Sequence, residues 1–175
     1  NDVIQTGSGS SVAISLSDGT ALSLVANTRM ALSDYSFDAG SDSNHALFTV
    51  LEGTFAFVAG KVAHGDMKIA TPVGFMSIHE GTSGWAHELS AREIAAISAR
   101  LNGTTFSFAV VNTADSHGLY ELLVKGAIVG DIGDPNLIWY LDQDGNLISM
   151  PLDHSQEFAD GLRITAAVQA SLVVA

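Results

Sequence analysis

Apolar and polar residues alternate over residues 12–24, with Val12, Ile14 and Leu16 before Asp18-Gly19-Thr20 and Leu22 and Leu24 after it. A period of two sends successive side chains to opposite faces of a strand, so each run can bury one face. Asp-Gly between two such runs is a hairpin signal. The alternation resumes through Met30 and Leu32, yields to a polar loop over residues 38–44, and returns in short β-prone runs at 46–51, 54–58, 61–62 and 67–69. Gly53, Gly60 and Gly65 separate these runs. Strands this short, each followed by glycine, predict a stacked, solenoid-like β architecture rather than long sandwich strands.

Residues 81–101 carry a different rhythm. Ser90 followed by Glu93 fits a capping box, and Ile94, Ile97 and Leu101 recur at helical spacing, which predicts a short helix, although strand alternation also fits part of the stretch. Beyond it, residues 104–111 (Phe106, Phe108 and Val110 on one face), 118–124, 127–132, 137–141 and 147–150 read as a meander of antiparallel strands. After Pro151, the spacing of Phe158, Leu162, Ala166 and residues 168–172 predicts a terminal helix that Asp153 or Ser155 would cap. The expected chain is therefore all-β: a module over residues 1–88, a β-rich continuation or subdomain over 89–154, and a helical segment over 155–175.

Composition narrows the class. In 175 residues, 47% hydrophobic and 15% charged, there is enough apolar material for a substantial core, and 17 Gly against 3 Pro agree with many turns. A formal charge of −12, from 19 acidic against 7 basic residues with no basic cluster, repels phosphate backbones and excludes nucleic acid as a partner. No apolar run approaches the roughly 18 residues that span a bilayer. Neither a starting Met nor a basic-then-apolar leader is present, so the chain is expected to be a mature form or a piece whose targeting segment lies elsewhere. The absence of Cys removes disulfides and thiolate chemistry. An acidic, Cys-free chain rich in Gly, Ser, Thr and Asp fits an exported bacterial protein.

Candidate chemistry is thin. His79-Glu80 and His87-Glu88 form the tightest His/Glu grouping, but the two histidines lie eight apart, which misses the helical His-Glu-x-x-His spacing. Zinc would need His64 or His117 as a further ligand. Asp142-Gln143-Asp144-Gly145-Asn146 opens like a calcium loop, yet Asp153 and His154 stand where the bidentate Glu belongs, and a hairpin turn is expected instead. Asp34, Asp38 and Asp42 read as a solvated loop, and Asp131, Asp134 and Pro135 as turn chemistry. Ser83 and Ser116-His117 lack the Gly-x-Ser-x-Gly elbow of a hydrolase. Trp85, Trp139 and Tyr140 lie in strand-like runs, where core or cross-strand packing is expected ahead of a sugar-stacking surface. No catalytic residue, metal or cofactor is expected.

Six short motifs, Asp18-Gly19-Thr20, Asn27-Thr28, Gly53-Thr54-Phe55, Gly60-Lys61, Thr71-Pro72-Val73 and Gly81-Thr82, resemble the FecR domain in order and approximate spacing over about residues 1–85. The remainder is similar to the region that follows this domain in large exported bacterial repeat proteins. The resemblance implies a β-rich, solenoid-like, non-catalytic module in the periplasm or outside the cell that meets a protein partner. Two settings are implied: transducers that regulate sigma factors, and structural N-terminal regions of adhesin-like surface proteins. The transducers add a cytoplasmic anti-sigma region and one membrane span, and neither is expected within these residues. Some of them cleave themselves between a Gly and a Thr by an N-to-O acyl shift, and Gly81-Thr82 is the matching step. Here the family's Ile-Arg-Gly-Thr is replaced by Ile78-His79-Glu80-Gly81-Thr82, one residue longer and without the Arg.

Overall fold

A computed structural model describes residues 2–60, 66–113 and 118–152. In chain order the strands are β1 (Asp2–Gln5), β2 (Val12–Ser15), β3 (Ala21–Leu24), β4 (Arg29–Ser36), β5 (His45–Glu52), β6 (Thr54–Val58), β7 (Asp66–Thr71), β8 (Gly74–Ile78), β9 (Ser83–Glu88), β10 (Phe108–Asn112), β11 (Tyr120–Val124), β12 (Ala127–Ile132), β13 (Leu137–Leu141) and β14 (Leu147–Pro151). One helix, α1 (Ala91–Arg100), joins β9 to β10.

The strands form two seven-stranded sheets, β1-β4-β5-β7-β8-β11-β12 and β2-β3-β6-β9-β10-β13-β14. Each sheet fills in chain order, because the chain crosses back and forth between them as it advances. The short, glycine-punctuated strands are as expected, but their stacking differs from a solenoid. Coils of a solenoid pair in parallel, whereas among the described residues β5–β7 is the one parallel ladder, formed because the chain visits β6 in the other sheet in between. The other described ladders are antiparallel.

Alternation places the inward residues of both sheets in one core. Leu22, Leu24, Phe55, Phe57, Phe108 and Val110 of the second sheet meet Met30, Phe48, Ile69, Met76, Tyr120 and Leu122 of the first. The second sheet is apolar on its outer face as well, with Trp85, Ala109, Val111, Ile138 and Tyr140 at 2% exposure or less. Helix α1 covers that face through Ile94 and Ile97, with Leu101 just beyond its end. Its predicted capping box is present: the Glu93 N–H donates to Ser90 Oγ at 3.3 Å and the Ser90 N–H donates to Glu93 Oε2 at 2.7 Å.

Two further expectations change. Phe106 lies outside β10 and packs beneath α1 against Tyr140, with ring centroids 6.2 Å apart, while Phe108 and Val110 enter the core between the sheets. The second half is also not a meander: β10 extends the second sheet beside β9, β11 and β12 extend the first beside β8, and β13 and β14 return to the second. Local alternation specifies a strand but not the sheet it joins. The expected terminal helix over 155–175 lies outside the described residues.

Candidate functional site

The six sequence motifs build the corners where the chain turns or changes sheets. Asp18 is buried in the β2–β3 turn, where its carboxylate accepts from the Thr20 N–H at 3.2 Å, from the Thr20 hydroxyl, and from the Tyr35 hydroxyl at 3.2 Å. Thr20 Oγ1 in turn accepts from the Gly60 N–H at 3.0 Å. A Cβ on Gly60 would lie 2.3 Å from the Thr20 nitrogen, so only glycine fits that crossing. Lys61 lies outside the described residues. Thr71 closes the β7–β8 turn around the exposed Pro72 by accepting from the Gly74 N–H at 3.2 Å.

Thr6, Thr28 and Thr54 form a buried ladder at successive crossings. Thr6 Oγ1 accepts from the Thr28 N–H at 2.9 Å, and Thr28 Oγ1 accepts from the Thr54 N–H at 3.0 Å while donating to the Thr54 carbonyl at 2.9 Å. Gly53, at φ +99°, lets its backbone press on Thr28, whose Oγ1 would lie 2.5 Å from any Cβ there. At the Gly53-Thr54 crossing, glycine thus admits the close approach of Thr28, whose hydroxyl bonds the Thr54 backbone.

At Gly81-Thr82 the glycine serves through its positive φ, since nothing lies within 4 Å of where its Cβ would be. The Thr82 N–H donates to the His79 carbonyl at 3.1 Å, closing a turn in which Gly81 adopts φ +77°. Thr82 is fully buried, its hydroxyl donates to the Leu119 carbonyl at 3.1 Å, and its carbonyl accepts from the Ala59 N–H at 2.8 Å.

Folding brings together one polar group that the sequence motifs did not single out. His87 Nε2–H donates to the Glu93 carboxylate at 2.9–3.0 Å, its Nδ1 meets the Thr54 hydroxyl, and Glu93 also holds the α1 cap. The threonine ladder therefore ends on the helix N-terminus. Desolvation pushes the Glu93 pKa up, but the bond from His87 and that from the Ser90 backbone outweigh it and leave the pKa lowered from 4.5 to about 2. A carboxylate with a depressed folded pKa contributes stability above its unfolded pKa that is lost as pH falls through the folded value. Glu93→Gln should therefore flatten the acid dependence of the thermal midpoint between pH 4.5 and about 2. A midpoint that falls over that window as steeply in the variant as in the parent would contradict this assignment.

The other candidates separate. His79 Nε2 lies 3.5 Å from Glu121 Oε2, and His45 Nε2 lies 3.1 Å from Asp34 Oδ2. Among the described residues, no group of three His, Asp or Glu side chains is placed to hold a metal ion. His64, Ser116, His117, Asp153 and His154 lie outside them. Asp142 caps the β13–β14 turn: it accepts from the backbone N–H groups of Asp144 and Asn146 at 2.9 Å each and from Asn146 Nδ2 at 2.7 Å. Desolvation raises its pKa, but these hydrogen bonds together leave it lowered. Ser83 bonds Thr113, and Asp134 accepts from the Asn136 N–H at 2.8 Å as turn chemistry requires. Trp85 and Tyr140 are core, and Trp139 packs against it partly buried.

The exposed feature of the fold is the outer face of the first sheet. Register aligns a row across its seven strands that is apolar except at Thr49: Val3 beside Ala31, then Thr49, Ala70, Phe75, Leu123 and Ile128. Val3, Phe75 and Ile128 are 52%, 45% and 59% exposed. Sequence reasoning missed this row, although adjacent apolar pairs such as Phe75-Met76, Leu122-Leu123 and Ile128-Val129 carried its signal: two apolar neighbours in a strand must face opposite ways.

A family model described as FecR protein matches residues 2–97. Among solved structures, two crystal structures, each of a candidate anti-sigma factor from Parabacteroides distasonis ATCC 8503, share the fold. One is 19% identical with a TM-score of 0.60, the other 18% identical with a TM-score of 0.59. Both alignments cover 87% of this chain, which spans only about three fifths of each of those chains, 60% and 61%. No curated protein matches.

Proposed function

Because the chain belongs to the FecR protein family, we propose that it is a non-catalytic signalling module that works outside the cytoplasm by meeting another protein. The family match over more than half the chain carries this reading, and the anti-sigma-like fold supports it. The described residues that resemble the family's motifs hold turns and crossings, and the outer face of the first sheet, which no described element covers, offers a contact area of its own. The Gly81-Thr82 step supports an intact chain. The Thr82 hydroxyl that would attack the Gly81 carbonyl is bonded to Leu119 instead, and glycine satisfies the turn without stored strain. Among the described residues no helix is long and apolar enough to cross a membrane.

Deleting the coding region for residues 2–152 from the native gene should change sigma-factor-dependent transcription, measured genome-wide. An unchanged transcriptome together with lost surface adhesion would replace the signalling role with the structural one. The purified chain should keep its intact mass on long incubation, and two fragments split at Gly81-Thr82 would make it autoproteolytic.

A further inference from the structure

We propose that the open face of the first sheet docks a protein segment carrying apolar side chains beside lysines or arginines. This rests on the interaction-module reading and names the chemistry of its partner. Two observations carry it. The row from Val3 to Ile128 crosses seven strands, about 29 Å, and is unbroken apolar surface over Ala70, Phe75, Leu123 and Ile128, the kind of surface that marks contact sites. Helix α1 covers the corresponding face of the other sheet.

The second observation is electrostatic. Beside the apolar row, register aligns Lys68, Ser77, Glu121 and Asp131 on the same face. Glu121 and Asp131 are direct cross-strand partners, an arrangement in which like charges destabilise the sheet. From the β8–β9 turn, His79 faces Glu121 at 3.5 Å, while Asp131 enters no ion pair among the described residues. A cation placed over the two carboxylates relieves their repulsion as its apolar neighbours cover Phe75, Leu123 and Ile128. The formal charge of −12 steers such a partner toward the module. An acidic peptide or nucleic acid would be repelled by the pair.

The probe is a short synthetic peptide of alternating lysine and leucine, titrated into the whole chain beside a counterpart with glutamate for lysine, and followed by amide chemical shifts and calorimetry. The lysine peptide should bind and shift amides of β8, β11 and β12, and the glutamate peptide should not. Asp131→Asn should weaken binding about tenfold and raise the thermal midpoint, because it removes the like-charge contact. Phe75→Ser should weaken binding by a similar factor, whereas Asp42→Asn, in the β4–β5 loop, should change it by less than about twofold. Equal loss from Asp42→Asn and Asp131→Asn would reduce the effect to net charge and overturn the proposal. So would equal binding of the glutamate peptide, shifts centred elsewhere, or concentration-dependent self-association through this face. A transcriptional effect of the deletion without peptide binding would remove this surface and leave the signalling reading standing.

Discussion

Replacing Gly84 with alanine should destabilise the protein by about 3 kcal/mol and lower its thermal midpoint by on the order of 10 °C. Gly84 sits inside β9 between Phe57 of β6 and Asn112 of β10. A Cβ there would lie 2.5 Å from the Val111 carbonyl oxygen and 3.1 Å from ring carbons of both Phe57 and Tyr120. None of these can yield cheaply. The carbonyl belongs to the neighbouring strand, and the two rings meet edge to face at 5.4 Å in the middle of the core. Tyr120 is fully buried, its hydroxyl has no hydrogen-bond partner among the described residues, and burial raises its pKa, so the ring is a neutral block filling the space the glycine leaves. Gly130→Ala is the control. Its Cβ would meet chiefly the flexible end of Leu147, at 2.3 Å, which can move. Thermal unfolding of both variants decides the point: equal midpoints for them would mean that the sheet shifts freely at Gly84.

Thr28→Val should cost about 2 kcal/mol through a polar group rather than a cavity. Valine keeps the volume and the branching, so packing is nearly unchanged. What is lost is the acceptor for the Thr54 N–H, which then has no partner at a crossing where Thr28 is fully buried and Thr54 is 4% exposed. The Thr54 carbonyl retains the Val25 N–H at 3.3 Å, so the expected cost is that of one buried donor. Thr28→Ser keeps the hydroxyl and should recover most of the loss. Urea unfolding provides the measurement: the midpoint should fall for valine with an unchanged slope. A valine variant as stable as the parent would show that the ladder is ornamental to the crossing.

These predictions differ in how legible their causes were. The β2–β3 hairpin, the capping box of α1 and the β13–β14 turn were readable because each is settled within a few residues by alternation, a cap or Asp-Gly. The Gly-Thr steps were visible as a motif, but their purpose was not, since Thr28 answers Thr54 across 26 positions and Thr54 answers His87 across 33. Phe106 and Phe108 have the spacing of a single strand face, and they part because the chain enters β10 only at Phe108. The Glu93–His87 contact joins a cap residue to a strand residue through the turn of the chain into α1, which neither residue's own pattern announces.

The sequence by itself determined that the strands are short and where many of them lie, though not β1, β8 or β9, that one helix starts at a Ser-x-x-Glu box, and that the chain resembles the FecR domain. Those properties follow from side-chain period and local backbone bonding, which act over a turn or two. The tertiary structure alone decided which sheet each strand joins, which apolar face α1 covers and which no described element covers, and that Glu121 stands opposite Asp131. Strand pairing is a bond between segments far apart in the chain, and a period of two reads the same whichever neighbour it meets.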